Sequence, residues 1–220
     1  MKQLVLAFCI CFSLSAMNAQ VITKDELKKY TKENNESSVD KAKELSEKYK
    51  LDPNGDLTIT DSIDCPGVTA RDLFYKVSEW MLTVSPDASS AMETIGKNAI
   101  ITNLFLPNVA RRNSGEHIYN VSIYPQLLFK FEENKVILSY SLHDYKVLKK
   151  SDDEFVSFGS FFVIDRAKKK FKVWYVKDCY PFAKGSGKHP KIISSRAMLN
   201  SIACYEILRN KITAVVNKPM

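Results

Sequence analysis

The residues that could do chemistry are few and scattered. The chain of 220 residues holds three histidines, His117, His143 and His189. None stands at metal-ligand spacing from another or from a cysteine, so neither a metal site nor any other cofactor is expected. His143-Asp144, at the predicted end of a strand, could be half of a hydrolytic triad completed by a serine. Adjacent strand residues point to opposite faces, which sets these two against orienting each other, and no serine occupies a Gly-x-Ser-x-Gly elbow. Gly185-Ser186-Gly187-Lys188 has part of the look of a phosphate loop. The full spacing needs a glycine where Phe182 stands and a serine or threonine where His189 stands, and Pro190 disfavours a helix start. The acidic pairs Glu132-Glu133 and Asp152-Asp153 fall in predicted turns and read as solvated turn residues. No catalytic residue is assigned, and the balance leans away from an enzyme.

Of the five cysteines, Cys9 and Cys11 lie near the start, leaving Cys65, Cys179 and Cys204. Cys65 and Cys179 each sit where a predicted strand gives way to a turn with a proline nearby, so in an exported chain the two are candidates for a disulfide. Cys204 lies among apolar residues of a predicted helix and reads as a buried thiol. The net charge is +7. Its basic loops hold Arg111 and Arg112, Lys168, Lys169 and Lys170, then Lys184 and Lys188 with Tyr180 and Phe182 alongside. If these loops meet in space they form a cationic patch with aromatic walls, suited to an anionic glycan or a lipid headgroup. The alternative is a set of separate solvated loops.

These residues must be positioned by an α+β scaffold. Leu57 to Val84 organises it. Leu57, Ile59 and Ile63 alternate with Thr58, Thr60 and Ser62, the period of a strand with one buried face. Pro66-Gly67 turns the chain, and Thr69 with Asp72 predicts a capping box. Leu73, Val77, Trp80, Met81 and Val84 then recur at helical spacing up to Pro86. Strands are predicted at 91–95 and 99–106 around Gly96-Lys97-Asn98, at 117–131 with Pro125 marking an edge or bulge, from Val136 to Leu142, and at 155–164 and 171–176. Pro107 to Gly115 reads as a polar loop. Short connections favour antiparallel pairing throughout. A last helix, capped by Ser194 or Ser195, carries Met198, Ile202, Tyr205, Ile212 and Val215 on one stripe, with Arg209 and Lys211 on the polar side.

Met1-Lys2, the apolar run Leu4 to Phe12 and small residues up to Ala19 read as a secretory signal peptide, residues 1–19. The run is too short to span a membrane. Phe8 and Ile10 precede Cys9 and Cys11, where a lipoprotein signal needs a small residue, so lipidation is not expected. Residues 20–56 are highly charged, with acids and bases nearly balanced, and read as a helical linker segment. Residues 57–220 read as a single α+β domain.

Asp72-Leu-Phe-Tyr75 with Trp80, Val136-Ile-Leu-Ser-Tyr140 and the Tyr180-Pro181 start of the last loop add a resemblance. They resemble a family of exported bacterial proteins carrying a domain of unknown function with a TATA-box-binding-protein-like fold, over about residues 57–218. The resemblance implies an antiparallel sheet with two main helices packed on one face, a helix-grip-like arrangement, and an exported location, periplasmic or secreted. It carries no known activity. The fold's namesake binds DNA across its sheet, but fold does not fix function, and export argues against nucleic acid. The expected function is a non-catalytic envelope module that binds a small amphipathic ligand, a glycan or a protein partner, with peripheral membrane contact open. The alternatives are a structural subunit of an envelope assembly and a hydrolase whose residues meet only in three dimensions.

Overall fold

The computed structural model describes residues 21–31, 38–84, 92–96, 98–114, 117–151, 170–180 and 188–218. In chain order the elements are α1 (Lys24–Thr31), α2 (Ser38–Lys48), β1 (Leu57–Asp64), α3 (Ala70–Val84), β2 (Met92–Ile95), β3 (Ala99–Asn103), β4 (Leu106–Ser114), β5 (His117–Ile123), β6 (Gln126–Glu132), β7 (Lys135–Leu142), β8 (Asp144–Ser151), β9 (Lys170–Tyr175), α4 (Val176–Cys179) and α5 (Lys191–Val216). The expected signal peptide and the 155–164 strand lie outside the described residues.

Every described strand pair is antiparallel. One sheet has five strands in the order β1-β7-β6-β3-β2, the other four in the order β4-β5-β8-β9. Three long ribbons run from one sheet into the other: β3 into β4, β5 into β6, and β7 into β8. They break side by side, at Leu104-Phe105, Tyr124-Pro125 and His143. Pro125 has no N–H for a ladder. It therefore marks a bend in a central ribbon rather than a sheet edge, and its carbonyl accepts the Leu104 N–H at 3.0 Å across the corner. The predicted loop 107–115 is also corrected: most of it is strand β4. Pro107 falls inside a register shift between Leu106 and Ala110. Asn108 takes a left-handed backbone there, φ 55°, and beyond the shift Arg111, Arg112 and Asn113 pair with β5 in regular register.

The predicted capping box forms, and a second one starts α1. The Asp72 N–H donates to Thr69 Oγ1 at 3.2 Å and the Thr69 hydroxyl returns to Asp72 Oδ2 at 2.8 Å. At α1 the Thr23 N–H donates to Glu26 Oε2 at 2.8 Å, and the Glu26 N–H to Thr23 Oγ1 at 3.2 Å. The β6–β7 turn bolts the start of α3 to the sheet. Asn134, at φ 63°, accepts from Cys65 N–H on its carbonyl and from Gly67 N–H on its side chain, both at 2.7 Å, and donates its own N–H to Val68 O at 3.0 Å.

Helix α3 lies on β6 and β7, and α5 lies on β4, β5 and α3. Both cover the same face, as expected. The long helix is buried nearly all round because α1 and α2 pack on its far side. The charged segment is therefore no linker. Val21, Ile22 and Ala42 belong to the same core as Phe129, Phe131, Tyr140 and Leu208, and Lys211 Nζ donates to the Val21 carbonyl at 2.7 Å. The last helix starts at Lys191 with no side-chain cap; Ser194 Oγ instead donates back to Pro190 O at 3.1 Å. Arg209 is not free on a polar face either. It pairs with Asp61, an inward-pointing carboxylate on edge strand β1 that also accepts from Tyr205 Oη at 3.3 Å. An inward charge of this kind blunts an edge against pairing with another chain.

Candidate ligand-binding face

The face opposite the helices is set by strand alternation. On β5 and β8 the core receives Val121, Ile123, Tyr145 and Val147, so the residues between them point outward. Register then builds rows across the four-stranded sheet. One row runs Arg111, Asn120, Leu148 and Phe171; the next runs Ser122, Lys146 and Val173; Asp144 and Tyr175 lie beyond. Phe105 and Tyr124, at the bends of two neighbouring ribbons, close this end as a stacked pair with ring centroids 4.7 Å apart.

A hollow of ≈ 510 Å³ opens on this face. Phe105, Tyr124, Phe171 and Leu148 form its apolar lining, and Asn108, Asn120, Ser122 and Lys146 its polar lining. The three rings are 52%, 48% and 69% exposed. The Asn108 N–H donates to Ser122 Oγ at 3.2 Å, and Lys146 Nζ donates to Asp144 Oδ2 at 3.0 Å. The side-chain amides of Asn108 and Asn120 have no hydrogen-bond partner among the described residues. A second hollow, ≈ 420 Å³, lies between α1, α2 and α5.

The candidate basic patch does not assemble among the described residues, whose cations sit apart. Arg111 and Arg112 are on β4, at one side of the four-stranded sheet, and as neighbours they face opposite ways. Lys170 begins β9, three strand spacings from β4, about 14 Å away. Lys188 is tied to Asp178 at 2.9 Å, which holds that carboxyl below the ordinary carboxylate range. Tyr180 turns to the helical side and donates to Ser46 O at 2.6 Å. Lys168, Lys169, Phe182 and Lys184 lie outside the described residues, as do Gly185, Ser186 and Gly187.

His143 takes a carboxylate, but not Asp144. Its Nδ1 lies 2.5 Å from Asp56 Oδ1, and its ring meets Tyr175 edge-on at 5.2 Å. Asp144 pairs with Lys146 instead. No serine or threonine hydroxyl contacts His143 among the described residues. Asp56 is presented by the Asn54-Gly55 turn. Asp52 Oδ1 accepts the Asn54 and Asp56 N–H groups at 2.8 and 3.0 Å. Gly55 sits at φ 90°, where an added Cβ would lie 2.8 Å from Lys177 Cδ. His189 stacks flat on Trp174 at 4.5 Å, and burial lowers its affinity for a proton. Among the described residues no group of three or more His, Cys, Asp or Glu is placed to hold a metal ion.

Cys65, Cys179 and Cys204 are buried free thiols, and burial pushes Cys179 and Cys204 up to about 12. The candidate Cys65–Cys179 bridge does not form. Cys65 follows the far end of β1, while α4, which ends at Cys179, begins at the His143 carbonyl beside the near end. An eight-residue strand spans about 26 Å, far beyond disulfide reach.

Sequence reasoning missed the rings on this face, although one signal was there. Phe171-Lys-Val-Trp-Tyr175 carries large apolar residues on both strand faces, and only one face can meet the core.

No family model and no curated protein matches the chain. Among solved structures, a TBP-like protein from Parabacteroides distasonis ATCC 8503 is similar over 77% of this chain and 97% of its own, with 11% identity and a TM-score of 0.51. A DUF4468 family protein from Bacteroides ovatus ATCC 8483 aligns over 79% of this chain and 96% of its own, with 9% identity and a TM-score of 0.43. At such identity the first likeness shows the fold alone: this chain has a TBP-like α+β fold.

Proposed function

We propose that the protein is an exported, non-catalytic binding module of the cell envelope, and that it receives an amphipathic ligand on the free face of its four-stranded sheet. Export is supported by the charged, apolar and small-residue pattern of residues 1–19. Asp72–Tyr75, Trp80 and Val136–Tyr140 support membership of the exported domain-of-unknown-function proteins they resemble. The helices of the structure do not bear on location beyond one point: none among the described residues is long and apolar enough to cross a membrane.

One observation carries the binding role: three exposed rings gather around a hollow floored by amides that have no hydrogen-bond partner among the described residues. Covering those rings would remove about 300 Å² of apolar surface, worth about 7 kcal/mol gross. Association consumes at least about 4 kcal/mol of that, so the rings alone suit a ligand held with about millimolar affinity rather than a permanent partner. Native mass spectrometry of the protein purified gently from its own host tests this. The expected result is an added mass on the wild type that the Phe105→Ala/Tyr124→Ala variant lacks. An identical mass on both proteins, or none on either, refutes the site.

A further inference from the structure

We infer that the occupant of this face is a linear glycan chain, an inference that rests on the binding site proposed above. The lining chemistry selects among amphipathic ligands. A lipid chain would cover the rings but strip water from Asn108, Asn120, Ser122 and Lys146 without offering them partners, and buried polar groups without partners are costly. A nucleic acid needs cations for its phosphates. The hollow supplies one, Lys146, already held by Asp144. A sugar ring satisfies both halves of the lining. Its C–H face stacks flat on an aromatic ring. Its hydroxyls, each a donor and an acceptor, match amides that offer both an NH₂ and a carbonyl.

The layout also sets the length. Phe105 and Tyr124 stand at one end of the hollow. Phe171 stands four residues further along and two strands across, on the row of Asn120. Strand rise and strand spacing put the two aromatic stations roughly 16 Å apart. A single ring cannot touch both. A chain of three to four sugar rings can rest one ring on each station and lay the rings between them over Asn120, Ser122 and Lys146.

Calorimetric titration of the purified protein with soluble oligosaccharides of two to eight rings tests this. The probes are β-1,4-glucose, α-1,4-glucose, β-1,4-xylose and β-1,4-N-acetylglucosamine series, with a lysophospholipid below its micelle concentration as the non-glycan arm. For at least one series, affinity rises with length to about four rings and then levels. Phe171→Ala weakens the long oligomer about tenfold and leaves the two-ring oligomer unchanged, whereas Tyr124→Ala weakens both. These rings are exposed, so the variants keep the wild-type melting temperature, which is measured alongside. Lysophospholipid binding that Tyr124→Ala abolishes, with no glycan series binding, overturns the glycan assignment and keeps the site. No binding by any probe, or binding indifferent to Tyr124 and Phe171, overturns both.

Discussion

Asn134 should be worth more than any other exposed turn residue in this chain, and the structure divides its contribution into two parts. Its backbone sits at φ 63°, a conformation that costs an ordinary L-residue about 1–2 kcal/mol and glycine almost nothing. Its side-chain oxygen accepts the Gly67 N–H at 2.7 Å, a hydrogen bond worth about 1 kcal/mol net. Asn134→Ala loses the bond and takes on much of the backbone cost, so it should destabilise by about 2 kcal/mol. Asn134→Gly loses the bond and should cost about 1 kcal/mol, the relief of the left-handed backbone roughly balancing the greater freedom of the unfolded chain. For a protein of this size, 1 kcal/mol corresponds to about 2–4 °C in melting temperature. Urea denaturation read by circular dichroism gives both free energies, with an unchanged slope as the control that the unfolded state is comparable. The decisive quantity is the order of the variants. If glycine proves as damaging as alanine, the left-handed backbone is not what Asn134 is there for. If both fall within 0.5 kcal/mol of wild type, the turn is not holding α3 to the sheet.

Two further expectations concern the interior and acid pH. Tyr140 is fully buried and its hydroxyl has no hydrogen-bond partner among the described residues, so Tyr140→Phe should keep the ring packing against Tyr205 and stabilise by about 1 kcal/mol; a loss of stability in the same urea assay would show the hydroxyl to be paired. Burial raises the Asp61 carboxyl, but the hydrogen bonds from Arg209, the Ser62 N–H and Tyr205 outweigh it and hold the carboxyl below its ordinary range. A depressed carboxyl contributes stability in full above its unfolded value, about 3.9, and loses it as pH falls through the folded value, so Asp61→Asn should flatten the fall in urea midpoint below about pH 4; an acid limb identical to wild type would refute the pairing's role.

Local chemistry was legible in the sequence and long-range geometry was not. Thr69 with Asp72 could be read because a capping box is complete within four residues. Pro125 was readable as a ladder defect, but its meaning depends on Leu104 and His143 breaking beside it on other ribbons. Polar residues made 107–115 look like a loop, since nothing in the sequence shows a bulge absorbing Pro107. The charged start of the chain looked like a linker because its own apolar residues are few. The missing information sat in α5, where Ala203, Cys204 and Ile207 surround the predicted stripe and call for cover on a second side. At the site, the parity of Phe171, Val173 and Tyr175 was visible, whereas the stacking of Phe105 on Tyr124 follows only from how two bends meet.

The two halves of the sheet provide the internal control on reading the rings as functional. Both halves turn one face to the helices and the other away. On the five-stranded half the outward residues of β1 and β7 are small hydroxyls paired across the strands, Thr58 with Ser141 at 3.1 Å and Thr60 with Ser139 at 2.9 Å. Gln126 and Lys130 continue that face, with Ile101, Leu128 and Ile137 half-buried among them. Ile95, in register with Ala99 and Lys130 on that face, is 50% exposed, so this half is not bare of apolar surface, but among the described residues it carries no exposed aromatic ring. On the four-stranded half the same side carries Phe105, Tyr124, Phe171, Val173 and Tyr175 exposed. Solvation cannot account for both, because it would favour threonine and serine over phenylalanine at each of those positions. Core packing cannot account for it either, because the core side of the same strands is already filled by Val121, Ile123, Tyr145, Val147 and Trp174. The proposed recognition of a ligand part apolar and part hydroxylated accounts for these rings and for the amides that line the hollow between them.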